Sequence, residues 1–323
     1  MASLEVLVTE GYGVNFAAVV ASNALQPQAV TAILTHAVGH ERVLDLVLAA
    51  RADNPTNSRL RRVAEQIGVA LRVDGGEFEA VLVAQSGFQF TDPWRDQMSR
   101  CEPAVFRIEL EMPDGAVLGI GTGFLVGPAA AMTCNHVFTM NGIEPDSNWR
   151  DRLRARFDYK ADADGKPIRE GTVYRMAQAS DWMADRSPVE NLDYALIRLE
   201  GTPGQDPIGS SQSPERGWLS AVPYSFAVDE TLAVLQHPAG RPLSLSLGPV
   251  KRSEADRIWH KANTEPGSSG APCFNARWQV GAMHHHGSET AGLNRAVPAG
   301  AIRAAVAAGP GASLLASPAQ GGH

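Results

Sequence analysis

The chain has 323 residues, of which 44% are hydrophobic and 20% charged, an ordinary composition for a globular protein of about two domains. The net charge of −7 argues against nucleic-acid binding, which usually needs a basic face. The first residues do not read as a secretory signal, and no run of 18 apolar residues would span a bilayer, so a cytoplasmic protein without membrane partners is predicted.

The first 70 residues predict a small all-α bundle of four short helices. Apolar residues recur at helical spacing after Asn15, from Pro27 to Gly39, from Val43 to Ala50 and from Leu60 to Ile67. We therefore expect residues 1–70 to form a helical domain of their own.

Part of this bundle carries a family resemblance. The stretch from Val43 to Leu60, in which an Ala-Arg helix end runs into Asn54-Pro55-Thr56-Asn57, resembles the effector-associated domains of bacterial conflict systems, which are compared with death-fold adaptors. The resemblance implies an interaction domain that binds a protein partner in bacterial immune or stress signalling. The alternative is a helical cap packed permanently on the rest of the chain, with its arginines forming only a solvated face.

Residues 71–100 predict a connector of mixed structure. Val81–Val83 predict a short strand, Gly87–Asp92 a loop, and Trp94, Met98 and Cys101 have the spacing of a helix. We place the boundary between the two halves of the chain near residue 85.

From residue 101 the pattern becomes that of β-structure. Residues 106–112 alternate between apolar and charged side chains, and Pro113-Asp114-Gly115 predicts a turn into a strand at 118–126. Further strands are predicted at 231–236, 243–247 and 278–283. Asn141–Ser187 is polar and predicts long loops, and the Gly/Ala/Ser/Pro-rich stretch 309–323 predicts a disordered tail.

Three residues predict a catalytic triad: His136 in Thr133-Cys134-Asn135-His136-Val137, Asp193 before an apolar strand pattern, and Ser269 in a small-residue turn. A serine hydroxyl becomes a good nucleophile when an imidazole accepts its proton and a carboxylate orients that ring. The order His, Asp, Ser differs from that of α/β-hydrolases and subtilisin-like enzymes and agrees with two-barrel proteases. Taken singly, each residue has an ordinary structural interpretation as a core histidine, a strand cap or a turn serine.

These residues belong to a wider set of motifs. From about Cys101 to about Ile302 the chain resembles the trypsin-like serine peptidases, closest to the disulfide-free bacterial branch related to glutamyl endopeptidases. The matching segments are Gly121–Pro128, those around His136, Asp193 and Ser269, Gln236–Gly240, and Val280–Gly287. The resemblance implies a chymotrypsin-like double six-stranded β-barrel over residues 101–308 that cleaves protein substrates. It also assigns the oxyanion hole to the backbone N–H groups of Gly267 and Ser269.

The same resemblance assigns the substrate pocket. Asn263 stands at the base of the primary pocket, with Thr264 and His284 beside the substrate side chain. The absence of an aspartate at position 263 argues against cleavage after Arg or Lys, and His284 favours acidic or small polar residues. No cofactor is predicted.

The run His284-His285-His286 also suggests a metal site. Successive side chains of a strand point to opposite faces, so all three rings cannot bind one ion, and no metal is predicted.

Control by cleavage is not expected. Ser268 stands where zymogen-type relatives have an aspartate that pairs with a newly freed N-terminus, so regulation is expected through the helical domain instead. Two alternatives stay open for the function: an inactive protease-fold scaffold that binds peptides, and an esterase that uses the same triad.

Overall fold

The computed structural model describes residues 4–5, 7–11, 13–20, 24–40, 43–53, 63, 88–144, 148–288 and 292–315. The chain divides into two compact units, Met1–Gly87 and Phe88–His323. The finer division at residues 70 and 100 stays a prediction. Within the described ranges, no helix combines the length and the apolar character needed to cross a bilayer.

The described part of the first unit is helical. It comprises a π-helical turn Leu7–Gly11 and the helices α1 (Phe16–Val19), α2 (Gln26–Gly39) and α3 (Val43–Asp53). One face of α2 carries Ala29, Ile33 and Ala37, which are buried with Val8 and Leu46 in a small apolar core. The helix predicted over 60–67, except Val63, and the strand predicted at 81–83 lie outside the described residues.

The second unit begins with helix α4 and continues as β-structure. Helix α4 (Thr91–Cys101) leads through a 3₁₀ turn into the first strand. The strands of the first sheet and a small hairpin are β1 (Val105–Glu111), β2 (Val117–Leu125), β3 (Ala130–Cys134), β4 (Leu153–Phe157), β5 (Lys160–Ala161), β6 (Pro167–Arg169), β7 (Thr172–Arg175), β8 (Met183–Arg186) and β9 (Tyr194–Arg198). The strands of the second sheet are β10 (Thr231–Gln236), β11 (Ser244–Ser253), β12 (Ile258–His260), β13 (Pro272–Phe274), β14 (Val280–Ser288) and β15 (Leu293–Pro298).

The first sheet is a half-barrel rather than the predicted six-stranded barrel. Its seven strands follow the order β7-β4-β1-β2-β3-β9-β8. The edge strands β7 and β8 have four residues each. Within the described ranges, the chain after β7 meets the chain after β9 through a single bridge between Met176 and Leu199. This pairing is too short to continue the ladder around a closed barrel.

The second sheet is a closed six-stranded barrel, in the order β10-β11-β12-β15-β14-β13. Leu232, Val234, Val250 and Ala282 fill its interior. The second unit therefore has a chymotrypsin-like β fold, which confirms the predicted fold class for the second sheet and corrects it for the first.

Two further predictions were wrong in part. The segment 141–187, predicted as loops, contains β4 to β8, because Leu153, Ala155 and Phe157 alternate on a buried face that the surrounding charges obscure. The remaining helices are α5 (His136–Thr139) and α6 (Ala299–Ala308). Helix α6 buries Ile302 and Val306 and was not predicted. The predicted disordered tail is ordered as far as Leu315, because Leu314 and Leu315 pack against the core after α6 ends; residues 316–323 lie outside the described ranges.

Candidate active site

His136 is positioned where strand β3 ends. Helix α5 (His136–Thr139) begins at this residue, after Cys134 completes the strand. The backbone N–H of His136 donates to Asp193 Oδ1 at 2.9 Å, and its ring Nδ1 lies 2.5 Å from Asp193 Oδ2. Both oxygens of one carboxylate therefore hold the backbone and the ring of the histidine.

Asp193 reaches this position through an unusual backbone conformation. Its φ of 47° lies in the left-handed region, which Asp tolerates better than most residues, and β9 begins directly after it. The pairing of β9 with β3 brings Tyr194 opposite Cys134 and so sets Asp193 beside His136. Burial alone would raise the pKa of this carboxyl, but hydrogen bonds from His136 and His285 outweigh it and lower the pKa to about 2.

Ser269 lies in a turn of the second sheet that faces the first. Its Oγ is 2.8 Å from His136 Nε2, and its carbonyl accepts the N–H of Thr122 at 2.9 Å. Gly270 follows with a φ of 88°, and a Cβ there would meet the Thr122 carbonyl oxygen at 2.2 Å. Glycine is therefore required next to the serine. The structure brings His136, Asp193 and Ser269 together in one hydrogen-bonded row.

The turn before Ser269 is held from both sides. Pro266 O accepts the N–H of Ala239 at 2.6 Å, and Gly267 O accepts the hydroxyl of Thr122 at 2.7 Å. Since the C=O and N–H of a trans peptide point in opposite directions, the first contact turns the N–H of Gly267 away from Ala239. Among the described residues, the N–H groups of Gly267 and Ser269 have no acceptor, so both are free for a ligand.

Ser268 completes the same turn from within. Its backbone N–H donates to Glu265 O at 3.0 Å, and its hydroxyl accepts the N–H of Glu265 at 3.1 Å. The residue is fully buried. The neutral side chain of Ser268 thus shapes this turn through local hydrogen bonds.

Of the three predicted pocket residues, two line an open groove and the third is buried. Asn263 is exposed and Thr264 half-buried, and both line a groove of about 690 Å³ with Gln236, whose side-chain amide donates to Asn263 O at 2.8 Å. His284 is buried instead, with its ring edge-on to His260 at 5.6 Å between centroids. Burial, followed by the neighbouring imidazoles, lowers the pKa of His284 well below its usual value.

His285 belongs to the site although the sequence analysis gave it no role. Its Nδ1 lies 2.6 Å from Asp193 Oδ2, and its ring is 5.9 Å from that of His136. The signal in the sequence is the histidine run itself, which suggested a metal site and, at His284 alone, a pocket residue.

Four of these groups have the composition of a metal site. The side chains of Cys134, His136, Asp193 and His285 place one donor atom each within 4.8 Å of one another. However, ligands held tetrahedrally at about 2.0–2.2 Å from zinc lie more than about 3 Å apart, whereas both rings here approach Asp193 Oδ2 more closely. Burial raises the pKa of the Cys134 thiol well above its usual value, and this thiol donates to His284 O. The arrangement favours hydrogen bonding over metal binding.

Comparison with known proteins gives one family match and a distant relative. A family model described as the trypsin-like peptidase domain matches residues 121–283, half of the chain. An uncharacterised protein of Sinorhizobium fredii, y4fB, is 28% identical over 263 residues, which cover 76% of this chain and 37% of that protein. This chain therefore spans little more than a third of the length of that relative.

Solved structures of proteases are also similar to this chain. The Rv3671c protease of M. tuberculosis in its active form is 19% identical, with coverage of 69% of this chain and 86% of that one and a TM-score of 0.46. A serine endoprotease of Yersinia pestis is 13% identical, with coverage of 69% and 66% and a TM-score of 0.48.

Proposed function

Because this chain belongs to the family of trypsin-like peptidase domains, we propose that it is a serine endopeptidase in which His136, Asp193 and Ser269 form the catalytic triad. The observation that carries the proposal is the row of hydrogen bonds from Ser269 Oγ to His136 Nε2, at 2.8 Å, and from His136 Nδ1 to Asp193 Oδ2, at 2.5 Å. These distances suit proton transfer from the serine hydroxyl to the imidazole.

In the proposed reaction, Ser269 Oγ attacks the carbonyl carbon of the scissile peptide while His136 Nε2 takes its proton. Asp193 stays ionised, since its pKa is about 2, and stabilises the imidazolium that forms. The tetrahedral oxyanion accepts hydrogen bonds from the N–H groups of Gly267 and Ser269. One such donor contributes roughly 3–4 kcal/mol to transition-state stabilisation. His136 then protonates the leaving amine, and water repeats the sequence on the acyl-enzyme.

For specificity, we propose that Asn263, Thr264 and His284 contribute to the primary pocket and favour acidic or small polar side chains. The support is chemical: Asn263 and Thr264 offer neutral polar groups to the groove that they line. Of the carboxylates in the same groove, Glu265 pairs with Arg241 and Asp162 accepts backbone N–H groups. Cleavage of peptides that differ only before the scissile bond measures this preference.

For the first unit, we propose an effector-associated, death-like domain that recruits a protein partner, in bacterial immune or stress signalling and in the cytoplasm. The support is a stripe of exposed apolar side chains on α2, formed by Val30, Leu34 and Val38 at intervals of four residues. This stripe, which we call the α2 stripe, is separate from the buried face of the same helix.

Labelling with a fluorophosphonate tests the catalytic proposal. This reagent reacts with a serine only when a base has activated it, so the wild-type chain should be labelled at Ser269 and should hydrolyse peptides. The Ser269→Ala variant should lose both the label and the activity while it unfolds at the same temperature.

Two outcomes would contradict the proposal. A folded wild-type chain that is neither labelled nor active would be a peptide-binding scaffold. Labelling with turnover of esters but not of peptides would indicate an esterase.

A further inference from the structure

A second imidazole contacts the carboxylate of the proposed triad. Asp193 Oδ2 lies 2.5 Å from His136 Nδ1 and 2.6 Å from His285 Nδ1, while Oδ1 accepts the backbone N–H of His136. The Asp193 side chain is fully buried, and only 5% of the His285 side chain is exposed. Each of the three contacts therefore restrains a carboxylate that has little access to water.

A bulge in β14 turns the His285 side chain toward this carboxylate. His284 pairs with Ala296 and His286 with Arg295, so the pairing of β14 with β15 shifts at His285, which stands between them. Such bulges redirect a side chain without ending the strand and occur next to active sites. As a result His284 packs on His260, His285 faces Asp193, and His286 is exposed.

We propose that His285 is a positioning residue that holds Asp193 in the orientation needed to fix the His136 ring, an inference that rests on the proposed function. The Nδ1–H of His285 donates to Oδ2, the oxygen that also accepts the ring N–H of His136. A carboxylate held at both oxygens does not rotate when the proton moves to His136.

Several charged and polar groups surround His285. On its own strand these are His284 and His286, and across the site they are His136, Asp193 and Cys134. A groove of about 460 Å³ next to the ring is also lined by Glu190, Arg257 and Arg295. Variants at His285 leave all of these groups in place.

A matched pair of substitutions separates positioning from packing. His285→Asn keeps an N–H donor near the place of Nδ1, and His285→Leu keeps much of the volume without a donor. We expect His285→Leu to lower kcat on the order of tenfold or more with little change in KM, because a hydrogen bond to a charged group is lost. We expect His285→Asn to stay within about threefold of wild type.

Rescue by the conservative variant supplies a readout that a packing defect alone would not give. Equal loss of kcat in both variants, or a rise in KM in His285→Leu as large as the fall in kcat, would overturn the proposal.

A measurement without turnover separates this proposal from the proposed function. In Ser269→Ala protein labelled with ¹⁵N-histidine, two Nδ1–H protons should resonate far downfield, one from His136 and one from His285. His285→Leu should remove one resonance and shift the other. A single downfield resonance that His285→Leu leaves unchanged would exclude the contact, whether or not the wild-type chain is active.

Discussion

Thr122 joins three backbone segments around the nucleophile. Its N–H donates to Ser269 O, its hydroxyl donates to Gly267 O, and that same hydroxyl accepts the N–H of His237 at 3.0 Å. The residue is fully buried on β2. One hydroxyl therefore sets the turn that offers the proposed oxyanion donors.

Replacing Thr122 by Val should remove this restraint at nearly constant volume. The carbonyl of Gly267 and the N–H of His237 would lose their partner, which should cost about 1–3 kcal/mol of unfolding free energy. We expect kcat to fall about tenfold or more as the oxyanion donors lose their alignment. Urea unfolding and steady-state kinetics measure the two effects.

Thr122→Ser is the matched control, because it keeps the hydroxyl and should keep most of kcat. If Thr122→Val retains wild-type kcat, the turn is set by its other contacts alone.

Among single residues, the sequence predicted the three members of the proposed triad but not His285 or Thr122. The spacing and order of His136, Asp193 and Ser269 pointed to one cluster, since few folds use that order. His285 was missed because alternation along a regular strand gives no sign of a bulge. The contacts of Thr122 join residues more than a hundred positions apart, which no local pattern reports.

Among the elements, α2 has two apolar faces with different surroundings. Ala29, Ile33 and Ala37 are buried, whereas the α2 stripe is exposed, with 48% of Leu34 accessible. An apolar stripe at helical spacing is the feature by which a helix docks on a partner. The α2 stripe is the surface that recruitment through the first unit would use.

Leu34→Asp tests this surface in the full chain. A charge in the α2 stripe should abolish capture of a partner that carries a like helical domain, while the unfolding free energy changes by less than about 0.5 kcal/mol. Affinity capture from cells and circular dichroism provide the two measurements.

Thr35→Asp is the control, because it adds the same charge at the next exposed position of α2, beside the α2 stripe. Undiminished capture by Leu34→Asp, or equal loss in both variants, would show that the α2 stripe is not the docking surface.

The sequence predicted long elements better than short ones. Strands β1, β2 and β10 were predicted within about one or two residues, because each alternates or runs apolar over six or more positions. Strands β5 to β8 have two to four residues and mostly exposed side chains, so neither period nor apolar content distinguishes them from loops.

For the molecule as a whole, buried histidines predict sensitivity to acid. Burial lowers the pKa of His237 and of His260 from 6.5 to about 4, and lowers that of His284 as well. Below pH 6.5 the unfolded chain binds protons at these three positions that the folded chain does not, so stability falls as the pH decreases toward 4. Asp193 adds a further loss as the pH falls from 3.8 toward 2.

We expect the unfolding free energy of Ser269→Ala protein to be nearly constant from pH 7 to 8 and to decrease below pH 6.5. Each histidine contributes a slope of up to about 1.4 kcal/mol per pH unit. Adding His260→Leu should reduce the slope by about a third, without loss of stability at pH 7.5, because both nitrogens of His260 lack hydrogen-bond partners among the described residues. Denaturant titrations at several pH values measure this slope. A slope that His260→Leu leaves unchanged would contradict the lowered pKa of His260.

The three cysteine thiols can report where the folded protein opens locally. Cys134 and Cys273 are fully enclosed, one in each sheet, and Cys101 is nearly so; all three are unbridged, and burial holds their protons firmly. A thiol-selective alkylating reagent should therefore modify each thiol only as fast as local unfolding exposes it. The alkylation rates of Cys134 and Cys273 would show which of the two sheets opens first, without an engineered probe.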